Sequence, residues 1–208
     1  MAVRSPLDDE LESIAASGKT PRLLIHCCCA PCASYALEYL SPFFAITAFY
    51  FNPNIEPVEE HIKRGGELRK LVGTARYPNQ VNILEYGDYA RDNSAFKLAT
   101  EALVSEPEGG RRCSVCIETR LAETAMRARV GGYDYFATTL TVSPHKNAAL
   151  INETGRRLGS SSGVAYLASD FKKRDGYKRS IELSGQFGLY RQSYCGCLPS
   201  LGGAGAVG

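Results

Sequence analysis

The segment Arg22-Leu-Leu-Ile-His-Cys-Cys-Cys-Ala-Pro-Cys32 carries a short apolar run straight into a turn that is rich in cysteine. A short apolar run that ends at turn residues is typical of a strand buried on both faces. Ala33–Leu40 has the composition of a helix, which Ser41-Pro42 ends. The segment therefore predicts a strand, a turn and a helix, with the cysteines in the turn.

The rest of the chain repeats this alternation of strand and helix. Apolar runs predict further strands at residues 43–51, 82–86, 135–141 and 165–168. Spacing and composition predict helices at residues 58–72, 94–104, 113–130 and 147–158, and a further helix in the basic segment near the C-terminus. Buried strands that alternate with helices form a parallel sheet with helices on both faces. We therefore predict an α/β fold, in which ligands bind outside the carboxyl ends of the strands.

The length and composition predict one domain. The chain has 208 residues, of which 44% are hydrophobic and 22% are charged, and this ordinary balance excludes a disordered, collagen-like or coiled-coil chain. We predict a loosely attached lead-in helix at residues 1–20, a single α/β catalytic domain at residues 21–200 and a flexible tail at residues 201–208.

The N-terminal residues and the apolar runs predict a cytoplasmic protein with no membrane partner. The first ten residues are polar and acidic, and they lack the basic start and apolar core of a signal peptide. The longest apolar run, Phe43–Phe51, is too short to span a bilayer as a helix. Thiols stay reduced in the cytoplasm, where clustered cysteines bind metal or do redox chemistry more often than they cross-link a fold.

The chain has eight cysteines, which is more than a core of this size needs, because a domain of about 200 residues buries enough surface without disulfides. Metal binding or redox chemistry is therefore the expected explanation. The cysteines form three groups: Cys27, Cys28, Cys29 and Cys32; Cys113 and Cys116; and Cys195 and Cys197.

The second group lies at the start of a predicted helix. Cys113 and Cys116 are three residues apart, so both sulfurs can point the same way. The helix N-terminus and the neighbouring Arg111 and Arg112 favour thiolates there. Together with the cysteines of the first turn, these thiolates could hold a tetrahedral zinc ion or an iron–sulfur cluster. A structural zinc site needs only four ligands, so the surplus favours a cluster, a second metal or a redox dithiol.

The third group is separated only by Gly196. Cys195 and Cys197 suit a disulfide that opens and closes, because glycine relieves the strain of so small a ring. A strained, exposed disulfide is easily reduced and is more often catalytic than structural. The alternative is that both cysteines are further metal ligands.

The net charge of +2 hides a basic segment near the C-terminus, at residues 170–191. Basic residues with interleaved aromatic rings suit a phosphate backbone with exposed bases, although a solvated helix face is the alternative. The candidate substrate-binding residues are Lys172, Lys173, Arg174, Tyr177, Arg179 and Arg191.

Six ordered motifs over about residues 22–197 resemble the cobalamin-free epoxyqueuosine reductases, often called the QueH family. Six motifs with consistent spacing are far more specific than any one of them. They are His26-Cys-Cys-Cys-Ala-Pro-Cys32; Asn52-Pro-Asn-Ile55; Arg112-Cys113 with Cys116; Leu140-Thr-Val-Ser-Pro-His-Lys-Asn147; Asp170-Phe-Lys-Lys173 with Gly176-Tyr177; and Gly188-Leu-Tyr-Arg-Gln192 with Tyr194-Cys-Gly-Cys197.

The resemblance implies a Rossmann-like (HUP-like) three-layer sandwich and a set of roles for the cysteines. It implies a redox-active disulfide between Cys195 and Cys197. It leaves open whether Cys32 exchanges with a cluster ligand or binds a second, mononuclear iron beside the cluster. It assigns no role to Cys27, which we expect to be a buried thiol. The implied ligands of a [4Fe–4S] cluster are Cys28, Cys29, Cys113 and Cys116.

The resemblance also implies an activity and partners. Members of the family reduce epoxyqueuosine to queuosine at the wobble position of tRNA, the last step of queuosine biosynthesis. The implied partners are the tRNA anticodon stem-loop, which the basic segment would grip, and an electron donor protein or reductant.

Two other enzyme classes remain as alternatives, with a purely structural zinc protein as a third. One is a thiol–disulfide oxidoreductase without a cluster. The other is a tRNA-thiolating ATP pyrophosphatase on a similar sheet, which would carry a Ser-Gly-Gly-type phosphate loop where Cys28–Cys32 stands.

Three polar residues belong to or lie near these motifs. We expect His26 and His145 to be hydrogen-bonding residues rather than metal ligands. For Asp170 we expect a salt bridge to Lys172 or Arg174, with a proton donor or a metal ligand as the alternative.

Overall fold

Parallel strands form the centre of the molecule, a computed structural model that describes residues 4–202 apart from the side chain of Arg174. Within this part of the chain there are five strands: β1 (Arg22–His26), β2 (Ala45–Tyr50), β3 (Val81–Glu85), β4 (Tyr135–Thr138) and β5 (Ala165–Tyr166). They lie in the order β3-β2-β1-β4-β5, and every neighbouring pair is parallel.

Helices cover both faces of the sheet. In the described part of the chain the α-helices are α1 (Pro6–Ser17), α2 (Ala30–Leu40), α3 (Val58–Thr74), α4 (Tyr89–Thr100), α5 (Arg111–Val130), α6 (Ala148–Ser162), α7 (Gly176–Gln186) and α8 (Leu198–Gly202). The main hydrophobic core packs α1, α2, α3 and α7 on one face, and two smaller clusters pack α5 and α6 on the other. This arrangement confirms the predicted α/β three-layer fold.

The chain order reverses at the central strand β1. His26, the last residue of β1, lies opposite Phe49 of β2 on one side and Thr138 of β4 on the other. Such a reversal opens a crevice at the carboxyl ends of the strands, where α/β proteins bind their ligands. The first group of cysteines follows β1 directly and therefore lies in this crevice.

The predicted lead-in helix is present as α1, but it is packed on the core and not loosely attached as predicted. Leu7, Leu11 and Ile14 of α1 are buried in the main core. The hydroxyl of Tyr135 also donates a hydrogen bond of 2.5 Å to Glu10. One apolar stripe on an amphipathic helix is enough to anchor it. The tail predicted at residues 201–208 lies outside the described residues, apart from Leu201 and Gly202, which end α8.

Two element boundaries differ from the predicted ones for local reasons. Helix α2 begins at Ala30, three residues early, because Pro31 suits the first turn of a helix. Strand β4 ends at Thr138, whose side chain accepts a hydrogen bond from the backbone of Leu140 and starts a buried 3₁₀ turn at residues 139–142. An apolar run alone does not distinguish such a turn from the end of a strand.

Among residues 4–202, no helix is both long and apolar enough to cross a membrane.

Candidate active site

The first group of cysteines forms a compact cluster of sulfurs. Cys28 lies in the turn after β1, Cys29 caps the N-terminus of α2, and Cys32 lies in its first turn. Their three sulfurs all lie within 4.8 Å of one another, and those of Cys28 and Cys29 are 3.7 Å apart. In the described part of the chain, no other group of three or more His, Cys, Asp or Glu ligand atoms is as close. This all-sulfur donor set suits a thiophilic metal or an iron–sulfur cluster.

The three thiols differ in their pKa values. Hydrogen-bonding contacts with the sulfurs of Cys29 and Cys32 lower the pKa of the Cys28 thiol well below its usual range. The same contacts with Cys28 raise the pKa of Cys29 to about 12 and raise that of Cys32. A thiolate at Cys28 is thus stabilised by two neighbouring thiols, and a thiolate is the form of cysteine that binds soft metals.

His26 holds this turn through a hydrogen bond at each of its two ring nitrogens. Nδ1 lies 3.0 Å from the hydroxyl of Thr138, and Nε2 lies 3.2 Å from the side-chain oxygen of Asn52. The amide nitrogen of Asn52 in turn donates to the backbone carbonyl of Cys27 at 2.9 Å. Burial lowers the pKa of His26 to about 4, so the ring is neutral. The structure therefore supports a hydrogen-bonding role for this histidine.

Cys27 lies apart from the sulfur cluster, as predicted for a spare thiol. It is fully buried in the main core, and its sulfur donates to the backbone carbonyl of Ile25 at 3.4 Å. Burial raises the pKa of this thiol well above its usual range. Cys27 is therefore an inert core residue and a suitable control for the other cysteines.

The second and third groups of cysteines meet in one cavity. Cys113 and Cys116 of α5 and the Cys195–Cys197 loop line a space of about 20 Å³. Burial raises the pKa of Cys116 to about 11, so the predicted stabilisation of a thiolate by the helix N-terminus does not prevail at this residue. Arg112 donates instead to the sulfur of Cys197 at 2.9 Å. The sequence pattern alone does not predict this pairing of the two groups.

Arg111 also has a different partner from the predicted one. Its guanidinium forms an ion pair with Glu106 at 2.7 Å on the exposed surface. The sulfur of Cys113 accepts a hydrogen bond from the backbone N–H of Gly109 at 3.2 Å. Arg111 thus stabilises the loop before α5 rather than a thiolate.

A second cavity, of about 60 Å³, connects this pair of groups to the first one. Cys28, Cys32 and Cys195 line it, and Arg120, Lys146 and Cys195 line both cavities. Cys28 also packs against the hydrophobic cluster that contains Ile117 of α5. All three cysteine groups therefore meet at the carboxyl ends of β1 and β4. That Cys28, Cys29, Cys113 and Cys116 together hold a cluster stays a prediction. Cys28 and Cys29 lie close to Cys32, and Cys113 and Cys116 share a cavity with Cys195 and Cys197.

Arg120 is a buried cation between the two cavities, and it is not among the site residues predicted from the sequence. Its side chain is 3% exposed, and Nε donates to the backbone carbonyl of Cys116 at 3.0 Å. Its terminal nitrogens donate no hydrogen bond to any described residue. Burial lowers the pKa of the guanidinium, but the surrounding thiols, Cys116 first, raise it overall. The sequence does contain one indication of this role: Arg120 lies one turn after Cys116 and therefore on the same face of the helix.

Arg64 holds the Cys195–Cys197 loop. Its guanidinium is 2% exposed and donates to the backbone carbonyls of Cys195 at 3.1 Å and Tyr194 at 3.2 Å. Its Nε forms an ion pair of 2.7 Å with Glu60, one turn earlier in α3. Gly196 has a φ of 128°, and a Cβ there would lie 2.9 Å from Ile55. The loop is thus held by buried hydrogen bonds and by a backbone conformation that requires glycine.

The predicted basic segment divides between the cysteine cavity and the surface. Tyr177 and Arg191 line the 60 Å³ cavity, as does His145, and the guanidinium carbon of Arg191 is 6.0 Å from the ring centroid of Tyr177. Arg179 is instead paired with Glu38 at 2.7 Å on the surface. Only part of the segment therefore faces the cysteines.

The remaining basic residues surround Asp170. Lys172 donates to the backbone carbonyl of Lys146 at 2.8 Å and lies 3.9 Å from Asp170. Lys173 lies 3.8 Å from the other oxygen of Asp170. The contact with Lys172 supports the expected salt bridge, and Asp170 lines neither cysteine cavity. The side chain of Arg174 lies outside the described residues.

Comparisons with known proteins agree on one family. A family model described as "Epoxyqueuosine reductase QueH" matches residues 23–202. A relative of that name from Streptococcus pyogenes serotype M1 is 44% identical over 180 residues, which cover 86% of this chain and 69% of the relative. The relative from Staphylococcus epidermidis is 41% identical over 182 residues, which cover 87% of this chain and 76% of the relative. The relative from Thermotoga maritima is 35% identical, with coverages of 86% and 90%.

Proposed function

Because the chain belongs to the epoxyqueuosine reductase QueH family, we propose that it reduces the epoxide of epoxyqueuosine to give queuosine at the wobble position of tRNA. The observation that best supports this proposal is the meeting of the three cysteine groups around Arg120 in the crevice at the carboxyl ends of the strands. Every cysteine except Cys27 takes part in this arrangement. A dense set of thiols beside an open crevice suits reductive chemistry.

The donor set fits an iron–sulfur cluster. The sulfurs of Cys28, Cys29 and Cys32 are already gathered, and Cys28 is stabilised as a thiolate. We infer that Cys28 and Cys29, with Cys113 and Cys116 from α5, would hold a [4Fe–4S] cluster. Cys32 would either exchange with one of them or bind a second iron. When bound, a cluster of this type supplies single electrons at low potential.

The Cys195–Cys197 pair can supply the electrons and protons that the reaction needs. Conversion of an epoxide to an alkene breaks two carbon–oxygen bonds, consumes two electrons and two protons, and releases the oxygen as water. Oxidation of two thiols to a disulfide releases two electrons and two protons. Burial raises the pKa of Cys197, but its contact with the Ser200 hydroxyl and a hydrogen bond from Arg112 outweigh burial and lower the pKa overall. The pair is thus poised to form a disulfide that an external reductant then reduces.

Lys146 is placed to bind the oxygen that leaves. It lines both cavities, and its ammonium pairs with Glu108 at 2.9 Å. Burial lowers the pKa of Lys146, but Cys195 and Glu108 raise it overall, so Nζ keeps its proton. A protonated amine at this position can donate a hydrogen bond to the epoxide oxygen as negative charge develops on it.

The residues around the crevice suit an RNA loop. Tyr177 and Arg191 lie at the cysteine cavity, where they can stack on and pair with an extruded nucleotide. The exposed Lys173 and Lys178 lie on the same basic segment, where they can contact phosphates. We therefore propose the anticodon stem-loop of tRNA as the substrate.

The proposal is tested with anaerobically purified protein. Its iron, sulfide and zinc content and its visible spectrum are measured, and the protein is then incubated under strong reductant with tRNA that contains epoxyqueuosine. We expect iron, sulfide and conversion to queuosine in the digested tRNA. A colourless protein that holds one zinc ion would reject the cluster, and unchanged nucleoside with a loaded cluster would reject the activity.

Cysteine variants assign the roles. Cys195→Ser is expected to keep its iron and lose turnover, because the dithiol can no longer form a disulfide. Cys113→Ser is expected to lose iron. Cys27→Ala, in the core, is the matched control and is expected to keep both iron and activity. Loss of iron in Cys195→Ser would instead identify this residue as a metal ligand.

A further inference from the structure

A larger cavity lies beside the cysteine site, at the carboxyl ends of β2 and β3. Its volume is about 350 Å³, and it is bounded by Tyr50, Glu85, helix α3 and the start of α4. We call it the β2–β3 cavity. No cysteine is among the residues that line it. A cavity of this size at this edge of a parallel sheet is a usual place for a small ligand or one group of a larger one.

Aromatic rings form much of the wall. The ring of His61 contacts those of Tyr50 and Tyr89, with centroid distances of 5.0 Å and 4.4 Å. Tyr86 is 41% exposed, and the guanidinium carbon of Arg127 lies 3.5 Å from its ring centroid. Burial lowers the pKa of His61, which keeps its ring neutral. Flat neutral rings at an open cavity suit stacking with a nucleobase.

The polar groups of the cavity suit a base better than a phosphate. Glu85 forms an ion pair with Arg69, and Asp92 forms one with Arg91 at 2.9 Å. Arg69 is the one arginine among the lining residues, against two carboxylates, so the wall has no excess of positive charge. The carboxylate oxygens can accept hydrogen bonds from the N–H groups at the edge of a base.

One loop separates this cavity from the cysteines. Asn52 and Pro53 line the β2–β3 cavity, and the hydroxyl of Tyr89 donates to the backbone carbonyl of Ile55 at 2.7 Å. On the other side of the loop, the backbone N–H of Glu56 donates to the carbonyl of Gly196 at 2.8 Å. A ligand with one base at the cysteines could therefore place a neighbouring base in the β2–β3 cavity.

We propose that the β2–β3 cavity binds an unpaired nucleobase next to the modified one in the same RNA loop, stacked on Tyr86. The inference rests on the proposed function, because it takes the RNA loop as the substrate. It adds a second base-binding site, which would orient the loop while the modified base lies at the cysteines.

A double-mutant cycle tests the contact. Binding of a synthetic anticodon stem-loop is measured for the wild type and Tyr86→Leu, with an intact loop and with loops that lack the base on either side of the wobble nucleotide. We expect loss of the contacted base to weaken binding by the wild type about 5- to 150-fold. In Tyr86→Leu the intact loop is expected to bind as weakly, and removal of the same base to have little further effect.

Two control variants separate the effect of the Tyr86 ring from a general effect on folding. Tyr133→Leu removes another tyrosine that packs under an arginine, Arg22, at the amino ends of the strands, and it is expected to bind like the wild type. Tyr86→Phe keeps the ring and should also bind normally. The inference would be overturned if removal of the base weakened binding equally in the wild type and in Tyr86→Leu. It would also be overturned if Tyr86 were required to bind a molecule other than RNA.

The outcome also separates this inference from the proposed function. A wild type that binds the stem-loop and forms queuosine, but shows no coupling to Tyr86, would reject the second base site alone. A wild type that binds no stem-loop would reject both.

Discussion

The guanidinium of Arg64 donates a hydrogen bond of 3.1 Å to the backbone carbonyl of Cys195, although the two residues are 131 positions apart in the chain. A second bond to Tyr194 and an ion pair to Glu60 complete a buried network around one side chain. Helix α3 therefore determines where the last two cysteines lie, without contributing a thiol itself.

Arg64→Met should destabilise the protein by about 3–5 kcal/mol, because it leaves Glu60 and two buried carbonyls without their partner. Urea denaturation measures the change in the free energy of unfolding. The control is Arg157→Met, which breaks an exposed ion pair with Glu118 and should cost less than about 1 kcal/mol. Equal costs for the two variants would mean that the Arg64 network does not stabilise the loop.

Gly196→Ala should reduce queuosine formation while the iron content stays normal. The φ of 128° is unfavourable for alanine, and the new Cβ would lie 2.9 Å from Ile55, so the loop must shift. The expected cost in stability is about 1–3 kcal/mol. Turnover, iron content and thermal unfolding are measured together.

Gly185→Ala is the matched control for that substitution, because an added Cβ there meets no atom within 4 Å. It is expected to keep full activity and to raise stability slightly, since Gly185 is helical. If Gly196→Ala were as active as this control, the strained loop would have no part in turnover.

Arg120→Gln should make the reduction potential of a bound cluster more negative. The substitution removes a positive charge that lies among Cys28, Cys116 and Cys195, and charge near a cluster is one of the factors that set its potential. Redox titration followed by visible or EPR spectroscopy measures the shift, and Arg120→Lys should restore most of it.

Arg129→Gln removes the same charge from the exposed side of α5 and should leave the potential unchanged. Iron and sulfide are counted in each variant before the titration. An unchanged potential in a fully loaded Arg120→Gln protein would show that the buried guanidinium does not tune the cluster.

Leu11→Ala should destabilise the protein by about 2–5 kcal/mol, because it leaves a cavity where α1 packs on the main core. Leu98→Ala, at a side chain that is 75% exposed, is expected to cost less than about 1 kcal/mol. Denaturation curves for both variants decide whether α1 is an integral part of the core. A negligible cost for Leu11→Ala would restore the prediction of a loosely attached helix.

The strands and most helices could be predicted from the sequence because their signals are local. The apolar run before Cys27 and the later runs predict buried strands, and their alternation with helices predicts a parallel sheet. The place of the first cysteines follows from this, since a turn after a central strand of such a sheet opens into the crevice. Short segments were harder, and the predicted strand at 135–141 ends at Thr138 because a threonine side chain turns the backbone.

The sequence by itself determined the chemistry of the site: which residues carry thiols, in which three groups, and at which edge of the sheet. Only the tertiary structure decided which groups adjoin. It placed Cys113 and Cys116 beside Cys195 and Cys197, gathered Cys28, Cys29 and Cys32 separately, and set Arg120 between them. The physical reason is that these contacts depend on how α3 and α5 pack against a distant loop. Local sequence patterns do not predict such long-range packing.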